Sequence, residues 1–264
     1  MTDSSKEVLN SIHDFPLEQQ ALFEQNGFLV LREFVDSDVV AEMLQITQDH
    51  RRLAIEPVEY ESDLHYPGAP TSRQESGGAT IRRLKQAHCR GIVFTDWINS
   101  DALKSRLERL LGPRLVCPLA HHNCIMTKEP AYSSDTGWHQ DIRYWSYEQP
   151  NLISVWLALG KESLENGCLQ VIPESHRMSF GQHQFDSELF FRDDHPENQK
   201  LLEQRQPVEL NPGDVLLFHC RTLHAATRNY SKTTKFSVVF TFRAAENSPR
   251  QGSRSASMPE MLLP

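Results

Sequence analysis

No stretch of this chain stays apolar for the roughly 20 residues that a membrane-spanning helix needs, so no membrane span is expected. The opening MTDSSKEVLNS carries neither the basic start nor the apolar stretch of a secretory signal, and the expected location is the cytoplasm. Cysteine is scarce and poorly arranged for cross-linking. Cys89, Cys117, Cys124, Cys168 and Cys220 are odd in number and never stand in a CxxC pair, which argues against a disulfide framework or a structural zinc site. Positive charge is also in deficit. With 27 Lys and Arg against 35 Asp and Glu the net charge is -8, so a nucleic-acid partner held through phosphates is not expected.

The 264 residues are 39% hydrophobic and 23% charged, enough to build one large core, and neither a linker nor a repeat divides them. We read residues 1–264 as a single domain in three parts. Residues 1–111 form a mostly helical flank. LEQQALFEQNG reads as a helix stopped by Gly27, FLVLREF as a short strand, and DSDVVAEMLQITQDHRRL as a helix capped at Asp36 or Ser37. WINSDALKSRLERLL, residues 97 to 111, reads as one further helix ended by Gly112 and Pro113. Residues 54–80 are rich in Pro, Gly and Ser and are expected to form a long mobile loop that covers the site.

Residues 112–245 change grammar. RLVCPLAHHNCIMTK, NLISVWLALGK, GCLQVIP, QPVEL, DVLLFHC and KFSVVFTFR are short runs rich in branched and aromatic residues between turn residues, which is the pattern of strands. Residues 246–264 read as a polar tail. The expected class is mainly β with N-terminal helices, α+β, with an antiparallel core and helices packed on one side.

GWHQDIRYW holds the chemistry. Side chains two apart on a strand share a face, so His139 and Asp141 either decorate an ordinary polar face or reach one metal ion. A third ligand would come from GDVLLFHCRTLHAATRN, which offers His219 and His224. Two histidines and one carboxylate make the facial triad that binds Fe(II) on one side and leaves positions open for an organic cosubstrate and dioxygen. Arg143 continues the alternation of His139 and Asp141, and of the adjacent His121 and His122 one must point inward.

GFLVLREFV, WHQDIRYW, VWLALGKESLENGCLQVIPESHR and NPGDVLLFHCRTLHAATRNYS together resemble the phytanoyl-CoA dioxygenase family of Fe(II)- and 2-oxoglutarate-dependent oxygenases. The resemblance implies a double-stranded β-helix, a barrel of the jelly-roll or cupin kind. It implies His139, Asp141 and His224 as iron ligands, with His219 a structural group. It implies 2-oxoglutarate as cosubstrate, consumed with dioxygen, and hydroxylation of a small molecule; the carboxylate of Asp141 disfavours halogenation. The family's arginine for the outer carboxylate of the cosubstrate falls at Lys235, eleven residues after His224, and the small hydroxyl residue two after that histidine is replaced by Ala226. Lysine keeps the charge and loses the two-pronged geometry. Arg243 and Arg228 are the alternative guanidiniums.

Further cosubstrate contacts implied are Lys85, Cys124, Gln140 and Trp156, each with a plain reading as surface charge, buried filler, outward strand residue or core. The basic run Arg82, Arg83, Lys85, His88 and Arg90 suits an anionic substrate, or equally a solvated face. Two rivals stand beside the oxygenase: a metal enzyme of the same barrel that does not use 2-oxoglutarate, and a non-catalytic binding relative.

Overall fold

The computed structural model describes residues 16–64 and 66–264. Helix α1 (Leu17–Asn26) is followed by strand β1 (Phe28–Leu31) and helix α2 (Ser37–Arg52). Gly27 ends α1 at φ 80°, and a Cβ there would fall 2.3 Å from the His176 ring, so both backbone and space call for glycine. Helix α2 buries Val40, Met43 and Thr47, one helical face turned to the core.

Strand β2 (Val58–Tyr60) lies within residues 54–80, the segment expected as a mobile cover, and strand β3 (Ile81–Lys85) follows it. Several contacts cross that segment. Strand β2 pairs with β3, Arg73 grips Asp63 at 2.9 Å and lies 3.5 Å over the Tyr60 ring, and the Glu61 carboxylate meets the Arg82 guanidinium at 3.0 Å inside the protein.

The expected single helix at 97–111 is two, α3 (Ile92–Ile98) and α4 (Asp101–Leu111). The Asn99 amide donates to Thr95 O at 2.9 Å and closes the first helix, while Ser100 Oγ accepts from Leu103 N at 3.4 Å and starts the second. Leu103, Leu107 and Leu111 form the buried stripe of α4.

Strands β4 (Leu115–Pro118), β5 (Asn123–Lys128), β6 (Thr136–His139), β7 (Leu152–Ala158) and β8 (Leu169–Val171) follow. After a short helix α5 (Pro196–Leu202), which no periodic pattern announces, come β9 (Gln206–Pro207), β10 (Val215–His219), β11 (His224–Ala226), β12 (Lys235–Ala244) and β13 (Glu260–Leu262). The last of these lies in the stretch read as a polar tail. It pairs with β4, and its Glu260 holds the buried Arg243.

All pairings are antiparallel. One sheet runs β1-β10-β7-β12-β5-β3-β2, with β4 beside β12 and β13 beside β4, and the other runs β6-β11-β8-β9. Two sheets face to face make the double-stranded β-helix. Strand β12 shows how each is shared: Phe236, Val238, Phe240 and Phe242 pack with the helices outside, while Val239 packs with Cys124, Trp156 and Phe218 between the sheets. Gly167, at φ 76°, leads into β8 where a Cβ would lie 2.2 Å from Thr227 O. All five cysteines are free, and no helix among the described residues is long and apolar enough to cross a membrane.

Candidate metal centre

Strand pairing builds the centre. In the small sheet His139 on β6 stands directly opposite His224 on β11, and their ring centroids are 4.2 Å apart. Strand β6 ends at His139, and Asp141 opens a 3-10 turn to Tyr144 that swings its carboxylate back beneath both rings. Asp141 Oδ1 is 3.7 Å from His139 Nε2 and 3.8 Å from His224 Nε2. One ligand atom from each of the three residues lies within 4.8 Å of the others, which suits a single ion held on one face.

Each histidine is oriented from behind. Nδ1 of His139 donates to Gly137 O at 2.8 Å, and Nδ1 of His224 donates to Thr222 O at 3.0 Å. A carbonyl can only accept, so the proton sits on Nδ1 and the Nε2 lone pairs face the centre. Burial, with His224 beside it, lowers His139 to about 3, so the ring is a neutral donor at ordinary pH. Burial alone would raise Asp141. His122, His224 and His139 around it, with the Ser154 bond, hold it below the usual carboxylate range.

The second oxygen of Asp141 has partners of its own. Ser154 Oγ donates to Oδ2 at 3.3 Å, and His122 Nδ1 lies 3.6 Å from the same atom. Of the adjacent pair, His122 is therefore the inward one. His121 turns aside to Ser255 Oγ at 2.7 Å and packs 4.9 Å from the Trp145 ring. Ser154 carries no signal in the sequence beyond its place on a strand.

Other expected residues fall elsewhere. His219 belongs to the large sheet, where its Nδ1 accepts from Arg221 N at 3.1 Å. Arg143 leaves the alternation because the strand has become a turn, and its guanidinium lies 3.2 Å over the Phe185 ring. Gln140 is buried and donates to Arg221 O, away from the ion site. Arg228 pairs with Asp135 and Arg243 with Glu260, so neither offers a free guanidinium. Ala226 packs in the core between the sheets.

The charge expected of Lys235 is already matched. Its Nζ donates to Glu162 Oε2 at 3.0 Å, and Glu162 Oε1 accepts from Trp156 Nε1 at 2.9 Å and Ser237 Oγ at 2.6 Å. Trp156 is thereby a core residue tied to this pair. Glu162, which no motif marks, is the reason Lys235 does not present an open cation.

A cleft of about 510 Å³ opens onto His139 and Asp141. Its walls include Arg83, Lys85 and Cys124 from the large sheet, Tyr144 and Trp145 from the turn after β6, and Arg254 from the C-terminal stretch. A two-histidine, one-carboxylate cluster beside a cleft between two antiparallel sheets marks the class as a metal-dependent oxygenase barrel. The chain belongs to the phytanoyl-CoA dioxygenase (PhyH) family, whose model matches residues 23–237.

Among curated relatives it is 24% identical over 245 residues to phytanoyl-CoA dioxygenase 1 of Oryza sativa subsp. japonica, covering 84% of this chain and 86% of that protein. It is 25% identical over 252 residues to the ectoine dioxygenase of Halomonas elongata, covering 89% and 72%. The crystal structure of the epimerase SnoN in complex with Fe3+, alpha ketoglutarate and nogalamycin RO superposes with a TM-score of 0.72 at 19% identity, covering 92% and 90%. At that identity the likeness establishes the fold.

Proposed function

We propose that the protein is an Fe(II)- and 2-oxoglutarate-dependent dioxygenase that hydroxylates a small molecule, with His139, Asp141 and His224 as the iron ligands. The observation that carries the reading is the shared approach of two Nε2 atoms and Asp141 Oδ1 on one side of an open cleft. Membership in a family of dioxygenases supports it, as do the names of the relatives, which act on small molecules such as ectoine. The donor set suits iron: two imidazoles and one carboxylate, oriented from behind, with one side left open.

Iron with 2-oxoglutarate bound would supply dioxygen activation and oxidation of substrate, the cosubstrate being split to succinate and carbon dioxide. The chain's own residues supply position and shielding. Gly137 O and Thr222 O keep both imidazoles in the metal-binding tautomer, and Ser154 and His122 occupy the carboxylate oxygen of Asp141 that faces away from the two Nε2 atoms. Tyr66, Leu119, Tyr144, Trp145 and Met258 wall the cleft with apolar surface that holds substrate and limits water. Arg83, Lys85 and Arg254 line the same cleft and favour an anionic group in the ligands it takes. The free cysteines fit a reducing, cytoplasmic setting.

The pairing of Lys235 with Glu162 favours one rival, a metal enzyme of the same barrel that does without 2-oxoglutarate. Anaerobic loading with Fe(II), addition of 2-oxoglutarate and exposure to oxygen separates them. Succinate and carbon dioxide formed in equal amounts, and lost in Asp141→Ala, are expected; an iron-loaded protein that neither binds nor consumes 2-oxoglutarate overturns the reading.

A further inference from the structure

The interior of the large sheet is laid out in rows by strand register. One row is His122, Thr241 and Ser154, next to Asp141; the next is Lys85, Cys124, Val239 and Trp156; the third is Arg83, Met126, Ser237 and Ala158. Lys235 lies one step beyond the third, opposite Lys128. Rows are about 6.6 Å apart along a strand. An extended arginine side chain is long enough to span that distance, so a guanidinium in the third row can reach back toward the metal end. Arg83 lines the cleft together with His139 and Asp141, and Lys235 does not.

The cations around the interior differ in how firmly they are engaged. Arg82 is locked by Glu61, Ser134 and Thr136, and Lys128 donates to Ser134 O and Thr227 O. Lys235 and Glu162 are 2% and 0% exposed, so a ligand carboxylate that took Lys235 would strand Glu162 as an unpaired charge inside the protein. Arg83 is held more lightly. Its Nη1 meets Glu59 Oε1 at 2.9 Å with side chains 26% and 16% exposed, and its Nε donates to the thioether Sδ of Met126 at 3.3 Å, a weak acceptor. Glu59 comes from a three-residue strand at the edge of the sheet, next to a register shift, and can give way without breaking the core.

We propose that Arg83 receives the outer carboxylate of the 2-oxo acid, and that Glu59 is the internal carboxylate it exchanges for that ligand. The proposal rests on the 2-oxoglutarate reading above and names its anchor. Exchange of one carboxylate for another leaves the charge balance at Arg83 unchanged, and the planar fork recovers the two-pronged contact that a lysine lacks. Such an anchor selects 2-oxo acids that carry a second carboxylate.

The test uses the Fe(II)-loaded protein without oxygen, titrated through its visible charge-transfer band with 2-oxoglutarate and with 2-oxovalerate, which chelates in the same way but has no outer carboxylate. Wild type is expected to prefer 2-oxoglutarate. Arg83→Gln is expected to lose that preference by roughly 30- to 150-fold while its affinity for 2-oxovalerate changes little. Glu59→Gln, which removes the competitor and keeps the arginine, is expected to widen the preference. It also provides an independent readout if Arg83→Gln folds poorly. A preference that survives in Arg83→Gln, or equal weakening of both acids, overturns the proposal. A wild-type protein that binds Fe(II) but neither acid instead overturns the underlying 2-oxoglutarate reading.

Discussion

Lys235 and Glu162 form an ion pair of 3.0 Å in which neither side chain is more than 2% exposed. Each remaining polar atom is also satisfied: Glu162 takes Trp156 and Ser237, and the ammonium sits 5.0 Å from the centre of the Trp156 ring. The group stitches β12 to β7 and to the turn after β7.

Removing one partner should therefore be a stability lesion. Lys235→Met leaves a buried carboxylate without its cation and should cost about 3 to 5 kcal/mol in urea unfolding. Lys235→Met combined with Glu162→Gln should recover most of that loss. If the single variant unfolds like wild type, the pair does not hold the barrel together.

At the metal centre, alanine at His139, Asp141 or His224 should abolish stoichiometric binding of Fe(II) or Co(II), measured as metal content after desalting. His219→Ala should retain it, because His219 lies in the other sheet and bonds the backbone of Arg221. Retention in His224→Ala with loss in His219→Ala would reverse the assignment.

Ser154→Ala frees Asp141 Oδ2 from its one hydroxyl donor. Partners of this kind typically contribute 10- to 100-fold in metal affinity, so Co(II) binding should weaken by roughly that factor with little change in fold. Isothermal titration checks it, with Ser154→Thr, which keeps the hydroxyl, expected to restore part of the affinity.

Acid should weaken the fold over a defined window. Burial, with His176 and Arg221 nearby, lowers His219 to about 4, and burial, with His122 and Arg254, lowers His121 to about 3. Both bind a proton more readily when unfolded, where the value is near 6.5. Between pH 6.5 and the folded values the unfolded state holds more protons, so stability falls as pH falls and is flat above. Each residue contributes up to about 1.4 kcal/mol per pH unit within its window. Urea midpoints of His219→Asn from pH 7 to 5 should show a shallower slope than wild type, and an identical slope would exclude His219 as a source.

Local information settled much of this protein. The alternating runs of residues 112–245 announce strands because a strand buried between two layers must be apolar on both faces or alternate between them, and β7 and β12 show both patterns. The two-residue spacing of His139 and Asp141 is equally local, and so is the likeness of the surrounding segments to one family. Register is not local. Whether His219 or His224 completes the centre depends on which strand crosses opposite β6, and β10 and β11, five residues apart at those histidines, run in different sheets. The end of β6 at His139, which removes Arg143 from the metal face, depends on the turn that Asp141 begins. Charge pairing is the least local of all: Glu162 meets Lys235, Glu260 meets Arg243 and Asp135 meets Arg228 across the fold, so a charge readable in the sequence becomes available or spent only when the barrel closes.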